Sequence, residues 1–247
     1  MIIELKKAIV VFVFIFGLQM MACIAGYGEP SAPSSDGPKD SGDGKSDSLY
    51  RMAASEFFSK AEVDEKIDLK HINHDLLSAA LFHETNKKRK ENGKEQLDHL
   101  PRLDEASRMH ARDMAEHEYV AHINPREQEL RRPLDRVREA GLNDIRFVAE
   151  NVASHFGIQY EPGEMVFAVE EDGETKYYYE RGGEPIESHT YRSFAETLVD
   201  NWMKSQGHRK NILAEKAEFL GTGCSKEEGE KGPVKFYCVQ LFFDRLD

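Results

Sequence analysis

The sequence predicts an α+β domain in which an antiparallel sheet packs between helices, and three observations carry that prediction. Segments with a helical apolar period fill the chain from Leu76 to Gly141. Strand-like runs follow at Ile145 to Ala153, Glu218 to Ser225 and Val234 to Phe243, with one more amphipathic helix among them. The spacing never settles into regular strand–helix–strand units, which argues against a parallel sheet. A length of 247 residues with 40% hydrophobic content suits one domain plus accessory segments.

The N-terminus reads as an export signal. Lys6 and Lys7 precede an apolar run from Ala8 to Leu18, which has the length of a signal-peptide core and is short for a membrane span. Cys23 directly after Ala22 resembles a bacterial lipoprotein cleavage site, so residues 1–22 are expected to be a signal peptide and Cys23 a lipidated residue. Residues 23–48 are rich in Gly, Ser, Pro and Asp with almost nothing to bury, the composition of a flexible tether. An N-terminal extension, 49–75, contains short helical pieces around Ala53 to Phe58 and Lys60 to Ile67.

From residue 76 the main domain begins. Leu77, Ala80, Leu81 and Glu84 share a face of a helix that stops near Gly93, and a second helix opens with Asp104 as N-cap, burying Ala106, Met109, His110 and Met114. Ala121-His-Ile-Asn-Pro125 is a turn, because a residue before proline is disfavoured from helical geometry. A third helix holds Pro133, Leu134 and Val137 and ends at Gly141, after which the strand Ile145 to Ala153 carries Glu150. Residues 155–192 look inserted: Met165 to Glu170 and Lys176 to Tyr179 flank an acidic Asp172-Gly173 turn, a hairpin signal. The helix Ser193 to Lys204 places Phe194, Ala195, Leu198, Val199, Trp202 and Met203 on one arc, with Ser193 as N-cap, Glu196 as its capping-box partner, Gly207 as the stop and His208 just beyond.

The formal net charge is −12, and removing residues 1–22, which carry +1, leaves −13. Such a surface argues against nucleic acid as a partner. With Cys23 assigned to the lipid, Cys224 and Cys238 remain as a pair on neighbouring strands of an exported chain. They either bridge, stabilising by about 3 kcal/mol on the chain-entropy estimate, or persist as two buried thiols.

Known catalytic motifs are absent. His117 and His122 bracket a glutamate at a spacing of five, which puts the two imidazoles about 140° apart on a helix and breaks the geometry of a zinc-peptidase motif. No G-x-S-x-G nucleophile turn occurs. What remains is dispersed: His122 in a turn, Glu150 in a strand, Glu196 on a helix flank and His208 past a helix stop. Two imidazoles and two carboxylates could coordinate a divalent metal such as zinc, or pair as acid and base; separately they read as surface histidines and a capping glutamate.

Phe82-His-Glu-Thr-Asn86, Leu103-Asp-Glu-Ala106, His110-Ala-Arg-Asp-Met114, Ala121-His122, Ala149-Glu150-Asn151-Val-Ala153, Phe194-Ala-Glu196, Trp202-Met-Lys-Ser205-Gln-Gly207-His208-Arg-Lys-Asn211-Ile-Leu213, Gly221-Thr-Gly223 and Tyr237-Cys-Val-Gln240 occur in that order. The succession resembles the CAP superfamily, the cysteine-rich secretory, antigen 5 and pathogenesis-related proteins, in its bacterial SCP-like extracellular branch. It covers roughly Leu76 to Phe243. The resemblance implies a three-layer α-β-α sandwich with a central antiparallel sheet, and a cleft holding two histidines and two glutamates that match His122, Glu150, Glu196 and His208. It also implies structural roles for Asn86, Arg89, Asn151, Trp202 and Gln240. Family members bind divalent ions, sterols or fatty acids, and proteolysis has been attached to some; no counterpart of the sterol loop is found here, so sterol binding is not carried over. The expectation is therefore an exported binding protein, lipid-anchored at a membrane of the cell envelope or extracellular, with a metal-capable cleft, zinc first, for a lipid or peptide ligand. The alternatives are a metal-assisted hydrolase using Glu150 or Glu196 as base, and a surface interaction protein acting through the inserted hairpin and its Tyr177-Tyr178-Tyr179 run.

Overall fold

The structure, a computed structural model, describes residues 8–9, 44–161, 163–171, 174–227 and 232–246. In chain order its elements are β1 (Ala8–Ile9), α1 (Gly44–Arg51), α2 (Ala54–Phe57), a 3-10 turn (Ala61–Asp64), α3 (His74–Glu91), β2 (Asp98–His99), α4 (Pro101–Glu116), α5 (Pro133–Glu139), β3 (Ile145–Phe156), β4 (Phe167–Glu171), β5 (Glu174–Tyr178), α6 (Tyr191–Lys204), α7 (Gln206–Ile212), β6 (Phe219–Lys226) and β7 (Lys235–Arg245). Apart from Ala8 and Ile9, the expected leader lies outside the described residues, as do the lipidation at Cys23, most of the expected tether and the Asp172-Gly173 turn.

The fold is the α-β-α sandwich. Its central sheet runs β2-β6-β7-β3, antiparallel across β6, β7 and β3. It is mixed at one edge, where the two-residue β2 pairs in parallel with β6, a correction to the all-antiparallel expectation. Period-two alternation builds the layers. On β7, Phe236, Cys238 and Phe242 join the core beneath α3 and α6, whereas Tyr237, Val239, Leu241 and Phe243 join the core beneath α4 and α5. Close approach of α4 to β6 requires Gly221 and Gly223, since a Cβ on Gly221 would stand 2.3 Å from Leu103 carbonyl carbon and one on Gly223 would stand 2.6 Å from Arg108 N. Cys224 and Cys238 face each other in the β6–β7 register and form a disulfide.

The N-terminal extension is part of the domain. Tyr50, Phe57, Val63 and Ile67 are buried in the same core as Leu77 and Trp202, and helix α1 starts at Gly44, inside the segment expected to be tether. Tyr50 donates to Asp104 Oδ2 at 2.8 Å, while Asp104 Oδ1 accepts from Thr222 N at 2.7 Å. Asp104 is therefore a buried crosslink within α4 and not its N-cap; that position is Leu100, with Pro101 starting the helix. Other polar side chains sew layers together: Arg89 donates to the carbonyls of Glu95, Ile212 and Ala214, and Gln240 donates to Thr85 and accepts from Asn151.

The insert forms a lobe of its own. β4 and β5 pair as an antiparallel hairpin, with β1 against β4, over a small core of Ile158, Val166, Ala168 and Tyr177. Of the tyrosine run, Tyr177 and Tyr178 are buried and Tyr179 is exposed.

Candidate functional site

β3 is the edge strand of the central sheet, so residues from both helical layers can meet along its free side. Glu150 faces the α4–α5 layer, and both its carboxylate oxygens are taken. His122 Nδ1 lies 2.9 Å from Oε1, and Arg136 Nη2 donates to Oε2 at 2.6 Å. All three side chains are buried. Burial pushes the Glu150 carboxyl up, but Arg136 first, then His110 and His122, outweigh it and hold the group at about 2. Glu150 is thus an anion at any ordinary pH. In the neutral His122 ring this fixes the tautomer: Nδ1–H donates to the carboxylate and Nε2 carries the lone pair.

The backbone around His122 is held as firmly as its ring. Arg136 Nη2 donates to His122 O at 3.1 Å, and His110 Nε2 donates to Ala121 O at 2.7 Å. Arg136 Nη1 donates to Leu130 O and Arg131 O, closing the loop that leads from the turn into α5.

His208 arrives from the other layer. It is the third residue of α7, a seven-residue helix that restarts after the single extended residue Ser205, so Gly207 lies within a helix and does not end one. Asn211 Nδ2 donates to Glu150 O at 3.0 Å and Asn151 Nδ2 donates to His208 O at 3.3 Å, which clamps α7 onto β3. Burial and then His122 depress the His208 pKa to about 4, so His208 is neutral at pH 7. His122 Nε2 and His208 Nδ1 are both buried without a hydrogen-bond partner.

Glu196 does not join them. The N-cap of α6 is Thr190, in reciprocal bonds with Ser193 at the third helical position, which moves Glu196 out of the capping box. It sits on the flank of α6 facing α3, about two-fifths exposed, 3.7 Å from Lys87 Nζ. The same strip holds Glu84 and Lys87 at 3.0 Å and Lys88 and Asp200 at 2.7 Å, an interhelical ion network. Accordingly, no group of three or more His, Cys, Asp and Glu among the described residues is arranged to hold a metal ion. The donor set that fits a metal is the two partnerless imidazole nitrogens; the carboxylates do not fit as ligands, because Glu150 is saturated and Glu196 is elsewhere.

Arg136 is the member that motif reading missed. A signal existed: Pro133, Arg136, Val137 and Ala140 fall at i, i+3, i+4 and i+7, so the arginine stands on the apolar face of α5. An arginine placed there needs a buried anion.

Comparison with known proteins gives a profile match over residues 82–242 to the family described as the cysteine-rich secretory protein family, CAP. Among solved structures, the chain is similar to an extracellular protein containing a SCP domain from Bacillus anthracis, at 20% identity and a TM-score of 0.45, covering 70% of this chain and 41% of that one. It is also similar to an outer surface protein from Borrelia burgdorferi, at 16% identity and TM-score 0.41, covering 67% and 90% of the two chains. A cysteine-rich secretory protein from Staphylococcus aureus matches at 15% identity and TM-score 0.38, over 70% of this chain and 40% of that one. The chain thus spans about two-fifths of the Bacillus and Staphylococcus proteins. No curated protein sequence matches it. No described helix is long and apolar enough to cross a membrane.

Proposed function

Because the chain belongs to the cysteine-rich secretory protein family, we propose that it is an exported binding protein whose ligand site is the His122–His208 pair at the free edge of β3. A lipid on Cys23 would tie it to the cell envelope, with the following segment as spacer. The observation that carries the reading is the pair of buried nitrogens without partners, His122 Nε2 and His208 Nδ1, beside a carboxylate that is permanently ionised.

Imidazole nitrogens suit a divalent ion, zinc before magnesium or calcium. Such an ion, when bound, supplies positive charge to polarise an oxygen of the ligand. In this arrangement His122 and His208 are the residues that would hold it, and Glu150 orients His122 from behind. Two protein nitrogens leave room in the coordination sphere for a donor from a lipid or peptide ligand. Calorimetric titration of zinc into the purified protein should give uptake near one equivalent that is lost in His122→Ala/His208→Ala; the same heats in both proteins would remove the metal from the proposal.

Metal-assisted hydrolysis is the weaker reading. Glu150, at about 2 and with both oxygens engaged, is a poor general base, and Glu196 pairs with Lys87 away from the histidines. Chelator-sensitive cleavage in a peptide library would restore it. The surface-contact reading keeps only part of its aromatic run, since Tyr177 and Tyr178 are buried and Tyr179 is 37% exposed.

A further inference from the structure

The insert stands on two feet, and each carries a histidine. His155 is in the last turn of pleat of β3 and His189 lies just before α6. The feet are joined by backbone bonds: His189 N donates to Gly157 O at 2.9 Å, Gln159 N donates to Glu187 O at 2.8 Å, and Ile158 bridges Ser188. Between them the two imidazoles meet with ring centroids 5.1 Å apart, and both pack on Phe194, at 5.0 Å from His155 and 5.7 Å from His189.

Among the described residues, no carboxylate of this pocket is bonded to either ring. His155 Nε2 is buried without a partner, and His189 Nδ1 meets only the Ser193 hydroxyl, at 3.0 Å. Across the sheet His155 faces Phe236. Charged groups on the adjoining segments are engaged with one another: Lys66 with Glu187, Arg192 with Asp64, and Lys235 with Glu227.

We propose that His155 and His189 form an acid-operated latch: neutral, the rings pack and hold the feet of the insert together, and doubly protonated they repel and free residues 158–188 from a domain that stays folded. Burial, then the neighbouring His189, takes the His155 pKa from the ordinary 6.5 to about 3, and burial takes His189 to about 4. Folded values below the unfolded ones mean that the closed form has its full stability above pH 6.5 and loses it progressively as pH falls from there to about 4 for His189 and about 3 for His155.

Hydrogen exchange of the full chain, corrected for intrinsic rates and followed from neutral pH to about pH 4, tests this. Protection of the described residues between 158 and 188 should fall by roughly four orders of magnitude while β6 and β7 keep theirs, and His155→Phe/His189→Gln should hold protection within about twofold. Equal loss in the variant, or loss in the insert and the central sheet together, would overturn the latch. Proton NMR titration of the unmodified protein decides the matter even if that variant misfolds: both rings should stay neutral to below pH 5, roughly, and a ring titrating near its free value would overturn the proposal.

Discussion

Two histidine pairs are tied to the same strand, and their surroundings are opposite. His122 bonds Glu150 on β3, an anion neutralised by Arg136, and α7 brings His208 to the same strand. His155 and His189 meet at its far end among Phe194 and Phe236, with no counter-charge. An imidazole backed by a fixed carboxylate keeps one nitrogen oriented for a ligand. The same ring in an apolar pocket can only refuse a proton until the pocket opens. Residue type does not separate a ligand from a sensor; the charge behind the ring does.

Removing the charge behind the first pair is the most severe way to break this contrast. Arg136→Met leaves the Glu150 carboxylate buried and uncompensated, and should lower unfolding free energy by about 3–5 kcal/mol in chemical denaturation. Arg136→Met/Glu150→Gln should recover part of that loss; no recovery would mean that the arginine acts through its loop carbonyls alone. Cys224→Ala/Cys238→Ala comes next, at about 3 kcal/mol from denaturation midpoints, and should leave zinc uptake intact because the bridge joins β6 to β7 in the middle of the sheet, whereas His122 bonds to the edge strand β3. Glu150→Gln removes the orienting charge but leaves both nitrogens, so zinc affinity should weaken by about 10–100-fold in calorimetry without vanishing. Abolished uptake would make Glu150 a ligand. Glu196→Gln should be the mildest, below about 1 kcal/mol and with zinc affinity unchanged, as for any exposed ion pair. A large loss of affinity there would return Glu196 to the site.

Much of the architecture is legible in the sequence because long amphipathic elements declare themselves by period. The arc Phe194 to Met203 finds α6, and the alternation of β7 finds the middle strand. Boundaries are harder, since they depend on single reciprocal bonds. Ser193 has the chemistry of an N-cap, but Thr190, three residues earlier, accepts from Ser193 N and forces the helix to start sooner. Gly207 looks like a stop, yet one extended residue at Ser205 suffices to break α6 and start α7. β2, with two residues, has no period to read. In the site, His122, Glu150 and His208 occupy positions the family pattern marks, whereas the role of Glu150 does not follow from pattern: it depends on Arg136, whose bond to it spans a loop and a change of element. Glu196 illustrates the converse, a matched position whose side chain is drawn off by a local lysine.

The joined feet of the insert have a further consequence for the chain's architecture. Since His189 N reaches Gly157 O, entry and exit of some thirty residues coincide at one point of the domain. The lobe is a cassette: replacing it by a short turn should leave the strand and helix on either side in place, at the cost of the partner that β4 offers β1. Surface proteins that must vary in what they present, while conserving a scaffold, can confine that variation to a splice point of this kind.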